Sequence, residues 1–267
     1  MKKSNKRKLN FLYLVPVIVA LLFFLIWEVA VQKGWLQRFL FPPPSQLTVT
    51  FFELLMDGIP VGKTIFDHSL LTLTRVLVGF LMAITLAIPL GLIIGASPIL
   101  YRLMAPVIGF CRSVATLSLL PLALVWFGIG EMSKIFLISY GCFWVMLSNA
   151  TAAIRLIDPL LIRAARTMNT SSWRLFNRVI LPASLPRLAA GARISLGVGF
   201  MVIIGAEMIG TTTGLGALIM EARTFYRPDV TFIGMITIGV FGIFISAGLS
   251  RFETLMMPWI PGDERQS

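Results

Sequence analysis

The chain has 267 residues, 57% of them apolar and only 13% charged, and its mean hydropathy is +0.87. Soluble domains are nearer half apolar and a quarter charged, so this composition excludes an ordinary water-soluble globule and indicates an integral membrane protein. A net charge of +11 would suggest nucleic acid in a soluble domain, but here the cations flank apolar runs, where anionic lipid headgroups favour them, and no nucleic-acid partner is expected.

Lys2, Lys3, Lys6, Arg7 and Lys8 precede the first apolar run and make residues 1–10 a basic tail. Runs of about twenty apolar residues, enough to cross a hydrocarbon core, follow at 11–31, 70–94, 103–127, 133–154, 188–209 and 231–255. They predict one all-α membrane domain of six spans over 11–257, with a short second tail over 258–267. Seven arginines (Arg155, Arg163, Arg166, Arg174, Arg178, Arg187, Arg193) cluster around the polar segment between spans four and five. The positive-inside rule puts this segment and the N-terminus on the cytoplasmic side, and six crossings put them on the same side independently. A cleaved signal peptide is the rival reading of 1–31; the apolar run is too long for one, and no small-x-small site closes it.

Between spans one and two, Phe41-Pro42-Pro43-Pro44-Ser45 fixes an extended backbone, and Ser45 is placed to cap a following helix. That helix, over 46–56, sets Leu47, Phe51, Leu54 and Leu55 along one side, as an interfacial connector would. His68, the single histidine, has no second histidine to join it and reads as structural or interfacial. Pro89, Pro106 and Pro121, with Gly91, Gly95, Gly128 and Gly130, predict bent helices covered by neighbours. Cys111 and Cys142 lie in apolar runs without CxxC spacing and read as small buried hydrophobes; no metal site is expected.

The polar segment over 158–186 builds into a hairpin by local rules. Asp158 is a good N-cap and Pro159 fits the first helical position of a helix through Leu161, Ala164, Ala165 and Met168. Asn169 suits the left-handed turn that ends it, and Thr170 or Ser171 is placed to cap a second helix. There Trp173, Phe176 and Ile180 share one side and Arg174 and Arg178 another, until Leu181-Pro182 stops the helix.

Charged residues inside spans are costly and usually face the bundle interior. Arg112 in span three and Glu207 late in span five are the candidates: they either pair as structure, or Arg112 helps an anion through the translocation pathway. Glu28 is near enough to the end of span one to reach the interface. The stretch 210–229 is too polar to cross and is read either as a gate or partner contact, or as a plain connector. Gly234, Gly239, Gly242, Ser246 and Gly248 predict close helix contact by the last span.

The frame from Arg163 to Pro182 resembles the signature of the transmembrane subunits of ATP-binding-cassette importers: Glu-Ala-Ala, three residues, Gly, nine residues, Ile-x-Leu-Pro. Arg163 stands at the position of its glutamate and Asn169 at that of its glycine. Phe41-Pro42-Pro43-Pro44-Ser45, Leu124-Val-Trp-Phe-Gly-Ile-Gly-Glu131 and Glu207-Met-Ile-Gly-Thr-Thr-Thr-Gly-Leu-Gly216 resemble the branch serving nitrate, alkanesulfonates, taurine and related small solutes. The resemblance implies a six-helix bundle of the type I importer permease kind, multi-pass in a bacterial inner membrane. Its implied partners are a second permease copy, two cytoplasmic ATPases that hold the ATP and magnesium, and an extracytoplasmic binding protein. It also makes the hairpin a coupling helix, with Arg163, Ala164, Ala165, Asn169, Trp173, Phe176, Val179, Leu181 and Pro182 against the ATPase.

This chain has no GxxxxGK[ST] loop for ATP, so neither catalysis nor a cofactor of its own is expected. A membrane enzyme would need a nucleophile with its base or a metal cluster, and no HExxH or GxSxG pattern occurs. A secondary transporter would need intramembrane ionisable groups for coupling, and only Arg112 and Glu207 stand out. The same importer machinery is also compatible with bicarbonate or a pyrimidine or thiamine precursor.

Overall fold

A computed structural model describes residues 2–58 and 63–256; the tail expected over 258–267 lies outside the described residues. Every regular element among them is helical. In chain order these are α1 (Lys2–Gln32), α2 (Pro44–Met56), α3 (Ile65–Ala96), α4 (Pro98–Ser113), a 3-10 turn (Thr116–Leu119), α5 (Leu120–Phe127), α6 (Glu131–Arg155), α7 (Pro159–Thr167), α8 (Ser172–Leu175), a π-turn (Phe176–Ile180), α9 (Leu181–Gly210), α10 (Leu215–Thr224) and α11 (Pro228–Met256).

Four stretches are long and apolar enough to cross a bilayer: Ile65–Ala96, Glu131–Arg155, Ser172–Ile209 and Pro228–Arg251. The apolar part of α1, Ile18–Gln32, is a shorter helix of the same character, and its backbone helix already starts at Lys2, inside the expected basic tail. The third expected span, 103–127, is not one helix. It breaks into Pro98–Ser113 and Thr116–Phe127, bent by 80°. The cause is local: Val114 and Ala115 take extended backbone angles, and Pro121 sits at the start of α5, where its missing N–H costs nothing. Pro89, Pro106 and Pro186, by contrast, lie inside helices that continue past them.

The chain divides into two compact units. The first comprises Met1–Asp67 with Leu218–Thr237. Within it Glu28 does not simply reach an interface: its carboxylate accepts from the Ser45 N–H at 3.1 Å and the Ser45 hydroxyl at 2.9 Å. Ser45 therefore does not cap α2, whose N-cap is Pro43. The buried side of α2 is Leu47, Thr50 and Leu54, while Phe51 and Leu55 are exposed. Thr50 takes its place in that row because its hydroxyl donates to the Asp229 carboxylate at 2.9 Å. Arg227 reaches Asp229 at 2.8 Å and Glu53 at 3.3 Å, and the Asp229 carboxylate holds the guanidinium above its ordinary range.

The second unit, His68–Ala217 with Ile238–Ser267, holds the main core. α6 is its axis: the buried Leu137, Ile138 and Cys142 pack with Val76, Phe80 and Ala83 of α3 and Leu196, Val202 and Ile203 of α9. Close approach is enforced by missing side chains. A Cβ at Gly91 of α3 would stand 2.5 Å from the Ala150 Cβ, and one at Gly191 of α9 would stand 2.5 Å from the Asn149 Cβ. The expected small-residue contact of the last span is different. Gly234, in the first unit, meets Ile219, whereas Gly239, Gly242 and Gly248 have nothing within 4 Å among the described residues.

Candidate functional site

The hairpin is assembled as its residues dictate. The Asp158 carboxylate accepts from the Leu160 N–H at 2.8 Å and Pro159 opens α7, so the first turn is capped and pre-set. α7 closes with the Asn169 N–H on the Arg166 carbonyl at 3.0 Å, and Asn169 itself takes φ of +54°, the left-handed turn expected of it. Ser171 is the N-cap of α8, but its side chain makes no cap bond. Leu175 is the buried anchor of the second arm.

Leu181-Pro182 does not stop this arm. After four residues α8 widens into the π-turn, in which the Leu181 N–H reaches back five residues to the Phe176 carbonyl. The extra residue lets Pro182 fall in the first turn of a new helical segment, where no donor is required of it, and Ser172–Ile209 runs on as one apolar stretch. Val179, Leu181 and Pro182 are half-buried as part of this bent entry into α9.

Trp173 is 73% exposed and Met168 81%, and Leu160 and Leu161 stand out beside them. Arg163, Ala164, Arg166, Asn169, Arg174 and Arg178 are also exposed, whereas Ala165 and Phe176 are partly covered. The surface is thus four large apolar side chains among four guanidiniums. Phe176, expected beside Trp173 as an apolar anchor, is only partly exposed. Leu160 escaped the sequence reading, though an apolar residue directly after an Asp-Pro cap is a readable signal.

The two intramembrane candidates are not partners. Arg112 is exposed, with its Nη1 3.4 Å from the Ser148 hydroxyl, on a cavity beside α6. Glu207 is fully buried and pairs with Arg75, which the sequence reading passed over. Arg75 Nη1 donates to Glu207 Oε1 at 2.6 Å and to the Thr213 carbonyl at 2.8 Å; its Nε and Nη2 grip both oxygens of Glu131 at 2.5 and 2.7 Å. The Thr72 hydroxyl and the Gly216 N–H each donate to Glu207 at 2.9 Å, Lys134 lies 3.3 Å from Glu131, and His68 Nδ1 accepts from the Gly214 N–H at 3.0 Å. Two cations face two carboxylates, so their formal charges balance, which offsets the burial of Arg75, Lys134 and Glu207. A Cβ at Gly214, where φ is +118°, would overlap the Glu207 carboxylate, so only glycine fits there.

The motifs ending at Glu131 and starting at Glu207 therefore meet on one guanidinium. The signal for it was His68, Thr72 and Arg75 at i, i+4 and i+7 on one helical face.

Comparison with known proteins agrees with this architecture. Residues 87–260 match the family model described as binding-protein-dependent transport system inner membrane component. The chain is 34% identical over 241 residues to the taurine transport system permease protein TauC of Escherichia coli K12, covering 90% of this chain and 87% of that protein. It is 31% identical over 261 residues to the putative aliphatic sulfonates transport permease protein SsuC of Bacillus subtilis 168, covering 97% and 91%. Its fold is that of a chain in the inward-facing methionine ABC transporter MetNI, with a TM-score of 0.60 at 22% identity, covering 70% of this chain and 93% of that one. The chain belongs to the family of binding-protein-dependent transport system inner membrane components, the membrane-spanning permeases of ABC transporters, in its nitrate, sulfonate and taurine branch.

Proposed function

We propose that this chain is the permease subunit of an ATP-driven importer for a small solute with a sulfonate-like anionic head, delivered by an extracytoplasmic binding protein. Two copies form the path and two cytoplasmic ATPases, which hold the ATP and magnesium, drive it. The names of the relatives, for taurine and aliphatic sulfonates, support the solute class. The coupling role rests on one observation: a capped, turn-locked hairpin that presents Leu160, Leu161, Met168 and Trp173 to solvent among arginines. Exposed apolar clusters of this kind mark protein contacts, and a Trp between Arg residues has the composition of an interface hot spot.

In this reading the hairpin sits in a groove of the ATPase, and its second arm runs unbroken through the π-turn into α9, so displacement of the hairpin is passed directly to a spanning helix. ATP must bind the closed ATPase pair better than the open one for this to drive the permease. Truncating an aromatic anchor costs about 2 kcal/mol, about 30-fold in affinity. The test is Trp173→Ala in proteoliposomes with the cognate ATPase and binding protein. Uptake should fall by at least tenfold and the ATPase should be lost from the purified complex; unchanged uptake and retention would reject the coupling role.

A further inference from the structure

The cavity that receives Arg112 is a site of its own. It lies between α4 and α6, has a volume of about 340 Å³ and is lined by Tyr101, Ile108, Arg112, Ser148, Thr151 and Arg155, among others. That volume is within the range of small-molecule sites, about 300 to 1,000 Å³. Ser148, Thr151 and Arg155 stand at i, i+3 and i+7 and share one face of α6, and Arg155 is about 10 Å further along that helix than Ser148 at 1.5 Å per residue. The two guanidiniums thus come from opposite ends of the recess.

Both cations lack a carboxylate partner among the described residues, in contrast to Arg75, Arg193 and Arg227. Arg155 instead lies over the Tyr101 ring, its Cζ 3.7 Å from the centroid, a cation–π contact that helps to hold the guanidinium in place. Among the described residues Arg112 hydrogen-bonds to the Ser148 hydroxyl at 3.4 Å, long enough to leave its donors to a better acceptor. Arg112 also belongs to the last turn of α4, directly before the 80° break of the third span. Interrupted spans are where membrane helices form solute sites.

An unpaired cation on a membrane helix is costly unless it is wet or meets an anion, and Arg112, exposed in the last turn of α4, has no carboxylate partner among the described residues. An anionic ligand in the cavity would supply the missing charge.

We infer that this cavity binds an oxyanion, with Arg112 and Ser148 at one end and Arg155, held by Tyr101, at the other, and that the anion is the sulfonate-like head of the solute in transit. This rests on the importer reading proposed above. Two guanidiniums with donors in planar forks suit a group carrying two or three equivalent oxygens. The phosphate head of an anionic lipid offers the same chemistry and is the rival source.

The test uses the full-length permease in nanodiscs of pure phosphatidylcholine and measures binding of radiolabelled methanesulfonate by equilibrium dialysis. Saturable binding is expected, weakened at least tenfold in Arg112→Gln and in Arg155→Gln, retained in part in Arg112→Lys, and unaffected by including phosphatidylglycerol. Absence of saturable binding to correctly folded permease, equal binding by Arg112→Gln, or complete displacement by phosphatidylglycerol would each overturn the inference. ATP-driven uptake by the wild-type complex is measured alongside. Uptake without permease binding of the probe sinks the anion site and leaves the importer standing, whereas absence of ATP-driven uptake sinks the importer.

Discussion

At the scale of single residues, Arg75 is the side chain whose loss should be felt most. It is 3% exposed and neutralises the fully buried Glu207, so removing it strands a carboxylate in the bundle. Breaking such a pair from one side costs about 3 to 5 kcal/mol, because the remaining charge is uncompensated. Arg75→Gln should therefore lower the thermal midpoint of the detergent-purified protein far more than Glu131→Gln, whose side chain is 55% exposed. The double variant Arg75→Gln with Glu207→Gln should cost less than the sum of its singles, and strict additivity would contradict the assigned pairing. Asn169, at φ +54°, gives a second prediction. Asn169→Ala should cost about 1 kcal/mol of local order and weaken ATPase retention about fivefold, whereas Asn169→Gly should not. Arg163 is exposed where the family signature has glutamate, so an acidic patch on the cognate ATPase is expected; Arg163→Glu should reduce coupled ATP hydrolysis with that partner, and an unchanged rate would reject the compensation. The Asp158 cap and the left-handed turn of the hairpin were readable because Asp158, Pro159 and Asn169 act on their own neighbours. Arg75 was not, because its partners lie 56 and 132 positions away and only the packed bundle brings them together.

At the scale of helices, packing in this bundle depends on glycines where α3 and α9 cross α6. Gly91→Ala would set a methyl 2.5 Å from the Ala150 Cβ and push α3 off α6, whereas Gly197, with nothing within 4 Å, has room for a side chain. Gly91→Ala should lower the yield of monodisperse protein and its thermal midpoint by several degrees, and Gly197→Ala should be neutral or slightly stabilising through helix propensity, worth up to about 1 kcal/mol. Equal effects at both positions would contradict the close crossing. Apolar run length marks helices, and the runs at 70–94, 133–154, 188–209 and 231–255 lie inside the longer α3, α6, α9 and α11. It did not reveal the 80° break near Val114, because Val114 and Ala115 are as apolar as their neighbours and the break is a matter of backbone angle. Nor did it foresee that Pro182 would continue a helix, since a single π-turn leaves no mark in the hydropathy pattern.

At the scale of the whole molecule, the family and the helical architecture are those of an ABC transporter permease, and the coupling role proposed for the hairpin assigns the motor to a separate protein. The basic segments that set its predicted sidedness and the apolar runs that set its span number are properties of the chain alone. What the hairpin touches is a property of the complex, so it has to be measured there. The most direct measurement is photo-crosslinking in intact membranes, with benzoylphenylalanine in place of Trp173 and the cognate ATPase and binding protein both present. The account predicts a crosslink to the ATPase that changes in yield when ATP is trapped; a crosslink to the extracytoplasmic binding protein, or none to the ATPase from a permease that still imports, would contradict it.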